Sequence, residues 1–164
     1  MAVPGAFWVV CACILGFCHV EAAENKLSSL DSSFCHGGLE AIYPTLDVTK
    51  CLIIPKGQKL REKVSNVWKA PQIYHSGAHK GDALKKGHIQ GTSLTDYHPP
   101  TPPQKTGFHR YQFMLFEQLP DAPVSLTEQE KSSRGKWDLQ AFIRRFDLGE
   151  PVATLQFLTQ NYKD

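Results

Sequence analysis

The sequence predicts a mainly β chain with a few short helices. Three observations carry this. Gly107–Gln118 (GFHRYQFMLFEQ) is a long strand pattern with apolar residues on both faces. Leu39–Tyr43, Cys51–Ile54 and Val152–Thr159 read as further strands. Clear helical spacing of apolar residues occurs in one segment, Leu139–Phe146. The composition agrees with a folded chain: 164 residues, 41% apolar and 21% charged. It excludes a mainly disordered, collagen-like or coiled-coil chain and favours a single domain. A net charge of +2 does not suggest a nucleic-acid partner.

The chain opens on an apolar run, Ala6–Phe17 (AFWVVCACILGF), too short to cross a bilayer. With small residues at Val20 and Ala22 behind it, residues 1–22 read as a secretory signal peptide. The competing readings are an uncleaved anchor and a buried strand. No second apolar run of membrane length follows, so the expectation is an exported protein, extracellular or luminal, without a transmembrane span. Of the five cysteines, Cys11, Cys13 and Cys18 leave with the leader. Cys35 and Cys51 remain, and two cysteines in an oxidising compartment pair more often than not. Two free thiols are the alternative. Asn25, Asn66 and Asn161 all lack the hydroxyl residue an N-glycan needs.

Residues 23–33 are polar and read as a flexible start; the domain proper is expected at 34–164. The strand Leu39–Tyr43 alternates, and Cys51–Ile54 is stopped by Pro55 and Gly57. Residues 56–88 are basic, from Lys56, Lys59 and Arg61 through Lys85 and Lys86. They suit either acidic partners or a solvated loop face; the dispersed charges favour the second. In HPPTPP, residues 98–103, the prolines force a stiff, extended backbone, read as a rigid rim beside a pocket or sheet edge rather than a peptide ligand. In Gly107–Gln118, His109, Tyr111, Phe113 and Leu115 share one face. Arg110, Gln112, Met114 and Phe116 share the other, which predicts a central strand covered on both sides. Thr127 and Glu130 have capping-box spacing. Leu139, Phe142, Ile143 and Phe146 then form an amphipathic helix with Asp138 as N-cap and Arg144 and Arg145 on its wet side, stopped by Gly149 and Pro151.

No phosphate-cradling glycine loop, G-x-S-x-G or H-E-x-x-H motif is present, so neither an enzyme nor a cofactor is expected. His75 and His79 lie four apart but in a glycine-containing stretch, and no metal site is expected. His109 and Tyr111 side by side on a strand offer donors and acceptors suited to an anionic oxygen ligand. From residue parity alone, a histidine satisfied by a backbone carbonyl is the more ordinary reading.

Pro102-Pro103-x-x-x-Gly107-Phe108-His109-Arg110-Tyr111 resembles the P-P-x-x-x-G-x-H-R-Y signature of the phosphatidylethanolamine-binding proteins. Ser133-Arg134-Gly135-Lys136-Trp137 resembles their R-G-K/S-[FW] element, and Phe142–Pro151 their helix and the entry to the next strand. The leader and the Cys35/Cys51 pair resemble the secreted vertebrate branch of that family. The resemblance implies an antiparallel β-sandwich with a few short helices, and binding rather than catalysis. The ligand it implies is a phospholipid headgroup or phosphate-like anion; a protein partner without a small ligand is the alternative. Matched position by position, it assigns His109 and Tyr111 to the pocket, Pro102, Pro103 and Gly107 to the adjoining loop, and Tyr162 to the C-terminal side.

The sequence also departs from the family. The D-P-D-A-P loop and W-x-H segment, which supply an acidic residue and a second histidine, are absent. Family-like sequence stops near Ala78 and resumes near Lys80, as in an exon-skipped transcript or a gene-prediction artefact. The expectation is an incomplete sandwich with a weakened pocket.

Overall fold

The computed structural model describes residues 26–77, 83–87, 91–119, 123–133, 135 and 137–164. The leader, the Ala78–Lys80 join, His79, His88, Arg134 and Lys136 lie outside them. Among the described residues, no helix is long and apolar enough to cross a membrane.

The polar start becomes helix α1, Ser29–Ser33. Ser28 caps it, its Oγ accepting from the Asp31 N–H at 3.0 Å. Ser28, in the run that read as a frayed tail, therefore serves as a cap, and Asp31 is buried. Strand β1, Leu39–Tyr43, keeps the predicted bounds, with Leu39, Ala41 and Tyr43 inward. It is flanked by two strands that sequence pattern did not reveal, β2 (Leu46–Val48) and β4 (Gln72–His75), both antiparallel to it. Strand β3 is short, Leu52–Ile53. Helix α2, Leu60–Glu62, runs into a wider turn, Lys63–Val67, that buries Val64 and Ser65. Within this basic stretch Arg61 is not solvated: it is buried, and its Nε donates to the Ile54 carbonyl at 3.0 Å.

Strands β5 (His109–Leu115) and β6 (Ala153–Thr159) are antiparallel across their whole length. The second sheet has the order β3-β6-β5, and β3 runs parallel to β6. One strand pair thus departs from the all-antiparallel expectation. The two three-stranded sheets contribute to one core: Leu39, Ala41, Tyr43 and Val48 from the first, Ala153, Leu155 and Phe157 from the second. Phe157 lies at its centre, stacked on Tyr111 at 5.6 Å and edge-on to Tyr43 at 6.4 Å.

The central strand is β6, not β5. Every residue of β6 is buried, while β5 forms the sheet edge with Arg110 and Gln112 exposed. Polar residues hid this role in the sequence. Thr154 donates its hydroxyl to the Phe34 carbonyl. Gln156 donates to Asp31 at 2.8 Å and accepts from Gln112 at 2.8 Å. With these partners, burial of the polar groups is tolerated. A disulfide joins Cys35 to Cys51, with 5.6 Å between Cα atoms, and ties the end of α1 to the start of β3.

Helices α3 (Glu128–Ser132) and α4 (Leu139–Arg145) follow their caps. The Thr127–Glu130 capping box is complete, and Asp138 accepts from the Ala141 N–H at 2.9 Å. Arg145 is engaged rather than simply wet: it bridges to Glu130 at 2.8 Å and stands over the Phe142 and Phe146 rings.

Candidate functional site

The proline run reaches the surface cavity of interest as an irregular segment. Pro100 and Pro102 are buried and Pro103 is exposed. Pro102 and Pro103, with Thr101, line one wall of a cavity of about 260 Å³. Asn161 and Tyr162 supply a second wall, and Ser65 and Asn66, from the turn after α2, a third. Two of the walls are joined by a hydrogen bond. Asn161 Nδ2 donates to the Pro102 carbonyl at 2.8 Å, and the Lys163 N–H donates to Asn161 Oδ1 at 3.0 Å.

Of the residues singled out in the sequence, Pro102, Pro103 and Tyr162 come together on this cavity. Gly107, His109 and Tyr111 do not line it. His109 is linked to the rim through Thr106, whose Oγ1 lies 2.5 Å from His109 Nε2 and 2.8 Å from the Pro103 carbonyl. The Thr106 hydroxyl has one hydrogen and gives it to Pro103. With that hydrogen committed, His109 Nε2 donates to Thr106. Gly107 has φ +73 and open space where a Cβ would lie, so its requirement is the left-handed turn into β5. Tyr111 packs its ring on Phe157, and burial is the main cause pushing its hydroxyl pKa up.

Two tyrosines join this neighbourhood without any local sequence signal. The Tyr43 and Tyr97 hydroxyls are 3.1 Å apart, and burial raises the pKa of both. Ser65, Asn66, Thr101 and Asn161 were also missed, because chain segments far apart in sequence assemble them. The adjacency of Asn161 to Tyr162 was the one available hint.

Asp164 is held from two sides. Lys56 Nζ donates to the Asp164 carbonyl at 2.9 Å, and the Lys105 N–H donates to the Asp164 carboxylate at 3.0 Å. The Lys163 ammonium stands 5.8 Å over the Tyr162 ring. The Lys163 ammonium, over the cavity residue Tyr162, is the cation placed to meet an anion there. Among the described residues, no group of three His, Cys, Asp or Glu side chains could hold a metal ion.

A second cleft, of about 280 Å³, is lined by Leu94, Leu126, Trp137 and Phe142 with Glu130 at its edge. Arg145, and then the Thr127 N–H, hold the Glu130 carboxyl down to about 2. With Trp137 Nε1 donating to it as well, at 3.2 Å, the carboxylate is committed to structure.

The family model for phosphatidylethanolamine-binding protein matches residues 23–159, most of the chain, including β1 to β6 and the Pro102–Tyr111 signature.

Proposed function

The chain belongs to the phosphatidylethanolamine-binding protein family, and from that premise we propose that it is an exported, non-enzymatic protein that binds a phosphate-like anion or phospholipid headgroup. The observation that supports this most is the cavity between Pro102, Pro103 and Tyr162, with Lys163 over the tyrosine and His109 one hydroxyl away. Binding rather than catalysis fits a chain in which no motif sets a nucleophile beside a base. The leader-like run Ala6–Phe17 and the disulfide support export and a place in the secreted vertebrate branch of the family.

We read this chain as a truncated form of the family's β-sandwich with a weakened pocket. The acidic loop and second histidine of the family pattern are missing from the sequence. Losing two such contacts costs about 2–4 kcal/mol, roughly 30- to 1,000-fold in affinity. An NMR-monitored titration with phosphoethanolamine, and with inorganic phosphate, tests the reading. The expected result is weak, saturable perturbation at Asn161, Tyr162 and His109, tightening when the family segment is inserted near Ala78. Unperturbed signals at all three residues would overturn the ligand, and equal affinity with the segment restored would overturn the truncation. The alternative, a protein-interaction module without a small ligand, draws support from the open edge of β5.

A further inference from the structure

Strand β5 ends its sheet, and β6 shows which of its backbone groups face outward. Thr154 exchanges both backbone hydrogen bonds with His36, at 2.9 and 3.1 Å, and the Leu158 carbonyl accepts from the Ile54 N–H at 2.8 Å. The even-numbered residues of β6 therefore point away from β5. Their register partners are Arg110, Gln112 and Met114. In an antiparallel ladder these are the non-hydrogen-bonded positions, so the N–H and C=O of Arg110, Gln112 and Met114 point to the outer edge. Among the described residues, no backbone group bonds to them.

Such a row of free groups is a template for another strand. The usual protections are absent: His109–Leu115 contains no proline and no lysine. Its one arginine, Arg110, is held by Asp31 through Nε at 2.5 Å.

We propose that two copies of this chain pair through β5, antiparallel, about a two-fold axis at Gln112. The edge is self-complementary in that register. Gln112 faces its own copy and Arg110 faces Met114 of the second copy, so all three outward residues find a hydrogen-bonding partner. Tyr111 faces Phe113 of the second copy, an aromatic pair that occurs twice, and no like charges stand opposite one another. A shift by one residue would set outward groups against inward ones. A shift by two would leave one of the three outward residues without an outward counterpart. The result joins the β3-β6-β5 sheet of one copy to that of the other, giving one sheet of six strands.

Sedimentation of the purified full chain across a concentration series provides the test, with hydrogen exchange as a second readout. The expected behaviour is a monomer–dimer equilibrium in which the amides of Arg110, Gln112 and Met114 gain protection as concentration rises. Met114→Lys sets a cation opposite Arg110 twice and should weaken the dimer on the order of tenfold. Met114→Glu sets a carboxylate there and should not weaken it. Thermal melts confirm that each variant folds; if Met114→Lys does not, Met114→Glu and the exchange pattern of the parent decide. A monomer at every concentration, equal weakening by both substitutions, unprotected edge amides, or open-ended aggregates in place of a dimer would overturn the proposal.

Discussion

Asp31→Asn should destabilise the fold by about 2 kcal/mol at neutral pH and should remove a pH dependence along with it. The Asp31 carboxylate is buried and accepts from four groups: Arg110 Nε at 2.5 Å, Arg110 Nη2 at 3.2 Å, Gln156 Nε2 at 2.8 Å and Ser28 Oγ at 2.7 Å. Hydrogen bonds to a charged group contribute about 1.5–3 kcal/mol. The Arg110 side chain is 59% exposed and recovers water when its partner is neutralised, which keeps the cost toward the lower end. Gln156 stays paired through its Oε1 to Gln112. The Arg110 guanidinium, ahead of Ser28, holds the Asp31 carboxyl down to about 2, against about 3.9 in an unfolded chain. A folded pKa below the unfolded one stabilises above the unfolded value, and that contribution is lost as pH falls through about 2. Urea unfolding of parent and variant at a series of pH values measures the gap. It should be full above about pH 4.5 and close toward pH 2. Glu130 titrates in the same range, but it is present in both proteins and cancels in the difference. A gap that stays constant down to pH 2 would refute the reasoning.

Replacing Cys35 and Cys51 together by alanine should lower stability by about 3 kcal/mol in the chain-entropy picture, given their separation of 16 residues. An unchanged urea midpoint for the double variant would show that the bridge adds nothing. Intact-mass measurement of exported material should give a chain beginning within a few residues of Ala23, since Val20 and Ala22 follow the apolar run. Recovery of a soluble exported chain that retains Met1 would reject the leader.

What the sequence made legible is local. Strand β1 was readable because Leu39, Ala41 and Tyr43 alternate with half-buried residues on a strand buried on one face. The Thr127–Glu130 box and the Asp138 cap were readable because each is completed within three residues. Strands β2 and β4 were not, because three or four residues carry no period of their own and are set by pairing with β1. The site divides in the same way. Pro102, Pro103 and Tyr162 were picked out by resemblance to a family pattern, whereas Ser65 and Asn66 reach the cavity through the packing of a turn.

The misassigned sheet centre has one physical origin. A strand with Thr154, Gln156 and Thr159 looks half-exposed unless their partners are known, and two of those partners lie at the far end of the chain. Phe34 takes the Thr154 hydroxyl, and Asp31 takes the Gln156 amide. The same short segment then supplies the backbone of His36, which bridges Thr154 on the side of β6 where β3 has ended. Cys35 adds its Sγ, 3.1 Å from the Gln156 N–H, and the covalent tie to Cys51. Residues 28–36 thus cover the part of β6 that neither β3 nor β5 covers, and they neutralise its polar side chains as they do so. Composition puts a boundary at residue 33, where the polar run ends. The hydrogen bonds run straight through that position, so a chain begun there would lose Asp31 while keeping Arg110 and Gln156, the two groups that Asp31 exists to satisfy.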